Sequence, residues 1–194
     1  MPTPKVPNDQ ILQYIRDTYH YNPDTGVISK ENKPTGSRRK KDNNITLPMR
    51  YSRLDDGTQL TYSTYGHQVA WYLTYGVWPT HWIDHIDGNA ANNRLSNLRL
   101  ATPRQNAHNK RKERAVGQFT TSKYKGVKKV NSRWRAYINY QGKMIHLGYH
   151  PTEEQAALAY DTKAVEVFGE YARCNFGTNS AISGEWQQLE LPWS

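Results

Sequence analysis

The sequence predicts an α+β protein, in which a β-hairpin followed by a helix precedes a three-stranded antiparallel sheet packed on one helix. Residues 82–109 have the pattern of strand, polar connection, strand and helix. Residues 124–168 have the pattern of three short strands followed by one long helix. A polar stretch without periodicity separates the two segments at residues 113–122. Strands that come in runs, rather than alternating with helices, favour an α+β fold over an α/β fold.

The N-terminal part is predicted to contain short elements. Asn8 is a suitable N-cap for a helix whose apolar residues Ile11, Leu12 and Ile15 share one face. Gly57 completes a turn of the kind that joins two antiparallel strands. The predicted elements before residue 80 are a helix at 8–19, a turn at 22–26, a strand at 27–28, a loop at 30–46, strands at 51–53 and 59–62, and a helix at 67–75.

Polar residues of chemical interest lie on every element of residues 80–112. A strand that begins at Trp82 leads through Asp84 and His85 into a turn at Gly88, and residues 98–101 form a second strand. Thr102 can cap the following helix with Pro103 at its first position, where the missing N–H has no helical partner to lose. The segment is therefore predicted to be a β-hairpin followed by a helix.

The C-terminal segment is predicted to form strands at 124–130, 133–140 and 143–149 and a helix at 152–168. Alternation along the second strand puts Arg133, Arg135, Tyr137 and Asn139 on one face. The opposite face carries Trp134, Ala136 and Ile138, which are suited to pack against the alanine-rich side of the helix. A Thr-x-x-Gln capping pattern begins the helix, and Gly169 ends it. The sheet therefore presents a basic face away from its helix.

Composition limits the partners. The 194 residues carry a formal charge of +9, and residues 103–144 contain twelve Lys or Arg but one acid, Glu113. Such an excess of positive charge favours a polyanion, and nucleic acid is a commoner partner than an anionic membrane. No apolar run approaches the roughly 20 residues that span a bilayer, so no membrane partner is expected. Cys174 is the single cysteine, which excludes an internal disulfide and a multi-cysteine zinc site, and no disulfide-linked partner is expected.

The first segment resembles the HNH endonucleases, in the branch found among phage homing enzymes. The resemblance is carried by Asp84-His85-Ile86-Asp87-Gly88, Asn92-Asn93-Arg94, Ser96-Asn97-Leu98-Arg99-Leu100, Asn106 and Asn109, and it extends upstream through residues 67–71 and 76–79. The fold that it implies is the ββα-metal finger, here without zinc.

Chemistry and the resemblance together suggest roles for four residues. Hydrolysis of a phosphodiester needs a deprotonated water and a metal ion that stabilises the leaving oxygen. His85 fits the general base because its reference pKa of about 6.5 lets it accept a proton at neutral pH. Asp84 and Asn106 offer hard oxygen ligands, which favours Mg²⁺ or Mn²⁺ over zinc; His108 remains an alternative to Asn106. The resemblance implies that Asn97 holds the loop and orients His85.

The second segment is similar to the DNA-binding domain of plant ethylene-response factors, of the Apetala type. The matching stretches are Tyr124–Val127, Trp134–Ile138, His146–Tyr149, Glu153–Asp161 and Ala172–Phe176. The resemblance implies that the sheet enters the major groove of double-stranded DNA. Because Lys128, Val130, Asn139, Met144 and His146 depart from the plant pattern, the target sequence does not carry over. The residues predicted to bind DNA are Lys110, Arg111, Lys112, Lys125, Lys128, Arg133, Arg135, Tyr137 and Lys143.

The sequence as a whole predicts a nuclease domain at 1–112, with its ββα core at 81–112, a linker at 113–122, a DNA-binding domain at 123–176 and a tail at 177–194. The expected function is that of a metal-dependent, site-specific DNA endonuclease, a homing-type nickase that leaves 5′-phosphate and 3′-hydroxyl ends. A monomer is expected, in the cytoplasm, which is the host's if a phage encodes the protein. The alternative is a DNA-binding regulator with an inactive nuclease module; an RNA-directed nuclease or a structural protein is a third reading.

Overall fold

A computed structural model describes residues 6–52, 57–109 and 121–177. The chain divides into two compact units, residues 1–106 and 107–194. Both units combine helices with antiparallel sheets, as the α+β prediction requires. The predicted DNA contacts Lys110, Arg111 and Lys112 lie outside the described residues, as does most of the predicted linker. No helix in the described part is long and apolar enough to cross a membrane.

The first unit begins with two helices and two three-stranded sheets. Its elements up to residue 75 are α1 (Asp9–Thr18), β1 (Tyr19–Tyr21), β2 (Ile28–Lys30), β3 (Lys33–Pro34), β4 (Ser37–Arg38), β5 (Ile45–Ser52), β6 (Gln59–Tyr65) and α2 (Gly66–Tyr75). The strand orders are β1-β2-β3 and β4-β5-β6. Asn8 caps α1 by accepting a hydrogen bond from the N–H of Ile11, which confirms the predicted start of the helix. Ile15, Leu47 and Val69 bring α1, β5 and α2 into one buried core.

The prediction of a loop at residues 30–46 was wrong. This stretch contains β3, β4 and the start of β5, and Ser37 pairs with Thr46 in the antiparallel ladder. The strands β3 and β4 are exposed and two residues long. Their side chains therefore show no alternation of apolar and polar residues, the signal from which a strand is predicted. The strands β3 and β4 form because their main chains pair with β2 and β5.

The predicted ββα segment is present. It consists of β7 (Trp82–His85), a 3₁₀ turn (Leu95–Asn97), β8 (Leu98–Ala101) and α3 (Pro103–His108). Ile83 and Leu98 pack with Ala70 of α2 in a buried cluster, so the hairpin rests on that helix. The register of the hairpin places Asp84 opposite Arg99 and His85 opposite Leu98.

The second unit is a three-stranded antiparallel sheet packed on one helix, as predicted. Its elements are β9 (Val127–Val130), β10 (Arg133–Tyr140), β11 (Lys143–His150) and α4 (Glu153–Phe168), with β10 in the centre of the sheet. Ala156, Ala157 and Ala164 are fully buried, which allows α4 to approach the sheet closely. Gly126 has a φ of +73°, and a Cβ there would lie 1.9 Å from the ring of Tyr160. Only glycine fits at this position.

Candidate active site

Asp84 and His85 are adjacent on β7, and both are buried, with 3% and 8% of their surfaces exposed. Neighbouring strand residues point to opposite faces of a sheet. His85 is the last residue of the strand, and its carbonyl oxygen accepts a hydrogen bond from the N–H of Gly88 at 2.8 Å. The chain therefore turns immediately after His85. Asp84 and His85 themselves still pair in register with β8, opposite Arg99 and Leu98.

Arg99 holds the Asp84 carboxylate from the opposite strand. Its Nε and one terminal nitrogen donate to the same oxygen, Oδ2, at 2.9 and 2.7 Å. The side chains of Asp84 and Arg99 are 4% and 12% exposed, so the pair lies largely out of water. Charge-assisted hydrogen bonds of this kind are among the strongest in proteins. The family motif contained Arg99, but no role was predicted for it; pairing the two predicted strands in register would have placed it opposite Asp84.

Asn93 contacts the His85 ring directly. The amide oxygen of Asn93 lies 3.0 Å from Nε2 of His85, and both residues are buried. With the amide oxygen as acceptor, Nε2 carries the proton and the lone pair of the neutral ring is on Nδ1. Burial lowers the pKa of His85 below its ordinary value. The ring is thus held in one orientation and in its neutral form, which is the state that accepts a proton.

Asn97 fastens the connection between the two strands. Its Oδ1 accepts from the main-chain N–H of Asp87 at 2.9 Å, and its Nδ2 donates to Oδ1 of Asp87 at 3.0 Å and to the carbonyl oxygen of Asn92 at 2.8 Å. The carbonyl oxygen of Asn97 accepts from the N–H of Ile86, next to His85. Asn97 therefore stabilises the loop, while Asn93, for which no role was predicted, forms a side-chain hydrogen bond with the His85 ring.

Asn106, the second predicted metal ligand, is half-buried on α3, and its N–H donates to the carbonyl oxygen of Thr102. His108, its rival, is the last residue of that helix and falls in the second unit. The donor set of Asp84 and Asn106 has the hard oxygen chemistry that suits Mg²⁺ or Mn²⁺. Within the described residues, no three His, Cys, Asp or Glu side chains gather as a metal site.

The exposed face of the second unit carries several of the predicted DNA contacts. Arg133, Lys128 and Lys143 are exposed, and Arg135 pairs with Lys128 across the β9–β10 ladder. The Arg135 guanidinium lies over the Tyr137 ring, 5.3 Å from its centroid, and contacts Sδ of Met144. Trp134 packs against the core on the other face of the sheet.

Lys125 is half-buried, as Arg135 and Tyr137 are. Burial and the nearby Arg173 lower its pKa to about 8. Its predicted contact with DNA remains a prediction.

Known proteins resemble each segment. Residues 64–108 match the model of the HNH endonuclease family. An uncharacterized HNH endonuclease of Acanthamoeba polyphaga mimivirus is 44% identical over 95 residues, which are 48% of this chain and 46% of that protein. Protein 3.8 of Escherichia phage T7 is 34% identical over 110 residues, which are 55% of this chain and 87% of that protein.

The chain contains an HNH endonuclease domain at residues 64–108. It spans about half the length of the mimivirus relative. An AP2-like ethylene-responsive transcription factor of Arabidopsis thaliana is also similar, with 46% identity over 75 residues, 37% of this chain and 20% of that protein. HNH nucleases use divalent metal ions. The matches support an HNH module joined to a segment similar to plant ethylene-response factors.

A second histidine adjoins the base candidate of the HNH site. The His67 ring meets the His85 ring edge to face, with centroids 5.2 Å apart, and stacks on Tyr65 at the same separation. Nδ1 of His67 is buried and has no hydrogen-bond partner among the described residues. Burial, together with the neighbouring His85, lowers the pKa of His67 to about 3. His67 is therefore neutral, and its uncharged ring packs against the ring of His85.

His67→Phe is expected to flatten the acid dependence of stability. The folded-state pKa of His67 is about 3, below its unfolded value of about 6.5. The unfolded state therefore binds a proton more readily, and the free energy of unfolding falls as the pH drops from about 6.5 towards 3. Phenylalanine keeps the ring stack but cannot take up a proton. Urea denaturation at pH 7 and pH 5 measures this. An equal loss of stability in wild type and variant would contradict the prediction.

Proposed function

We propose that this HNH protein is a metal-dependent endonuclease that hydrolyses phosphodiester bonds of double-stranded DNA. One observation carries the proposal: Asp84 and His85 are adjacent and buried at the end of β7, with Arg99 holding the carboxylate and Asn93 holding the imidazole. A buried acid beside a neutral, oriented imidazole is the arrangement that general-base catalysis with a metal ion requires. A structural role alone would not need two separately braced polar groups.

His85 acts as the general base. Nδ1 of the neutral ring takes a proton from the attacking water, whose oxygen forms the new bond to phosphorus. The bond between phosphorus and the 3′ oxygen breaks, and that oxygen takes up a proton, which leaves 5′-phosphate and 3′-hydroxyl ends. Asp84 and Asn106 would hold a Mg²⁺ or Mn²⁺ ion, which would supply stabilisation of the charge on the leaving oxygen. Arg99 positions Asp84, and Asn97 keeps the loop after His85 in shape.

The second unit anchors the protein on duplex DNA. The exposed cations of its sheet suit contacts with phosphates, and Arg135 is suited to read guanine in the major groove. Its similarity to plant transcription factors supports DNA as the partner. With one HNH site in each chain, a monomer would cut one strand, as a homing-type nickase does.

Supercoiled plasmid distinguishes a nuclease from a DNA-binding regulator. The protein is incubated with plasmid in Mg²⁺, in Mn²⁺ or in EDTA, and the products are separated on an agarose gel. The proposal expects relaxed circles in the presence of metal and none in EDTA. A mobility shift without relaxation in any metal would show a regulator with an inactive nuclease module instead.

Arg135→Gln is expected to weaken DNA binding and relax site choice without changing the metal requirement of cleavage. A good contact between arginine and guanine contributes about 1–3 kcal/mol of discrimination, which is roughly a 5- to 150-fold change in relative affinity. Lys163→Gln, on the surface of α4, is the matched control because it removes one positive charge from the same unit. Competition binding with selected and random duplexes provides the measurement. Equal behaviour of the two variants would contradict the role of Arg135.

A further inference from the structure

The basic residues 38–41 lie at the end of β4 and on the turn that leads to β5, and this turn is hydrogen-bonded to the HNH loop. The turn is closed by main-chain hydrogen bonds from Arg39 N–H to the carbonyl oxygen of Asn44 at 2.8 Å, and from Asn43 N–H to that of Arg39 at 2.9 Å. Nδ2 of Asn43 donates to Oδ1 of Asn89 at 3.0 Å. Asn89 belongs to the connection that follows His85. The turn is therefore a defined element beside the catalytic loop.

A chain of side chains joins the same turn to the base candidate. Arg39 donates to the hydroxyl of Tyr65 at 2.6 Å, and its guanidinium lies over that ring. Tyr65 stacks on His67, with 8° between the ring planes, and His67 meets the His85 ring. Asp42 lies 3.6 Å from Arg39. Arg39 therefore makes its contacts within the protein, and these contacts link the turn to the HNH site.

The remaining cations of the turn face solvent. Arg38, Lys40 and Lys41 are exposed, and Arg38 contacts Asn43. Residues 38–42 hold four cations and one carboxylate, a net charge of +3. Exposed ammonium groups lose little hydration when they meet a phosphate, and the release of counterions from DNA favours such contacts. Because the turn borders the loop that holds His85, a DNA strand seated at that loop would pass these lysines.

We propose that the turn of residues 38–44 is a second phosphate-binding element of the HNH unit, in which Lys40 and Lys41 hold the DNA backbone beside the phosphate that is cut. The inference rests on the proposed function, since it takes the DNA strand at the HNH loop as the ligand. It assigns a binding role to a segment outside both the ββα core and the C-terminal sheet.

A salt series with two matched double variants tests this element. Lys40→Gln/Lys41→Gln is compared with Lys30→Gln/Lys33→Gln, which removes the same charge from the β2–β3 hairpin of the same unit. Binding of a fluorescein-labelled duplex is measured by anisotropy in EDTA, so that no cleavage intervenes. Loss of two phosphate contacts is expected to make the slope of log K against log salt shallower by about 1.8, at about 0.9 per phosphate. Thermal unfolding checks that both variants keep their fold.

The outcomes distinguish specific phosphate binding by this turn from a general effect of positive charge, and they test the nuclease activity separately. A shallower slope confined to Lys40→Gln/Lys41→Gln supports the proposal. An unchanged slope in that variant, or an equal loss in the control variant, overturns it. Plasmid relaxation by the wild-type protein in Mn²⁺ reports on the nuclease separately. A protein that binds through the turn but never relaxes plasmid would disprove the nuclease and leave the phosphate-binding element standing.

Discussion

His85→Ala is expected to abolish plasmid relaxation while DNA binding stays close to the wild-type level. His85 is the group placed to take the proton from water, and Asn93 holds its ring at 3.0 Å. Loss of a general base lowers rates by about 10²- to 10⁴-fold. The side chain is buried and uncharged, so its removal takes no phosphate contact from the protein surface. Cleavage rate and affinity are therefore expected to separate.

Single-turnover nicking in Mn²⁺ and anisotropy in EDTA provide the two measurements. His81→Ala is the matched control, because His81 is an exposed histidine just before the same strand, where its ring contacts Thr80. The control is expected to nick at the wild-type rate. If His85→Ala still nicked plasmid in the presence of metal, the assignment of His85 as the general base would be wrong. If DNA binding fell together with nicking, the result would indicate instead that the substitution disrupts the loop after His85.

Asp84→Ala is expected to remove both metal-dependent cleavage and part of the stability of the first unit. The carboxylate is the predicted anionic metal ligand, and it is also the partner of the largely buried Arg99. Removing one member of a buried ion pair leaves the other charge uncompensated, which costs about 3–5 kcal/mol. Because the Arg99 side chain is 12% exposed, a value near the lower end, about 3 kcal/mol, is expected. Mn²⁺ titration by calorimetry and urea denaturation measure the two effects.

A double variant separates the ligand role of Asp84 from its structural role. In Asp84→Ala/Arg99→Leu the uncompensated charge is gone, so stability is expected to recover in part, whereas Mn²⁺ binding and cleavage are not. Wild-type metal affinity in Asp84→Ala would disprove the ligand assignment. Undiminished stability in the same variant would instead show that the ion pair contributes little to the fold.

Much of the candidate site was predictable from local patterns. The strand at Trp82–His85, the second strand at Leu98–Ala101 and the helix that begins at Pro103 follow from cap residues and short apolar runs. Alternation along β10 correctly separated the buried Ala136 and Ile138 from the exposed Arg133. These are properties of neighbouring residues, so one sequence suffices to predict them.

The prediction failed where strands are short and polar. At residues 30–46 no side-chain alternation marks β3 or β4, and they form because their main chains pair with β2 and β5. Because residues 30–46 were predicted to form a loop, the basic residues 38–41 had no predicted position. In the structure, β4 pairs with β5 and brings these residues to a turn that contacts Asn89.

The sequence by itself predicted which side chains are candidates for the chemistry, because the order of Asp84, His85, Asn97 and Asn106 along a hairpin and helix is a local property. Only the tertiary structure decided what holds them. Arg99 reaches Asp84 through the register of two strands, Asn93 reaches His85 through a folded loop, and His67 reaches His85 because the hairpin packs on α2. These contacts join residues that are 8 to 18 positions apart in the sequence. Asn93 is 8 positions from His85, and His67 is 18 positions from it. Their formation depends on how elements pack, which no local pattern contains.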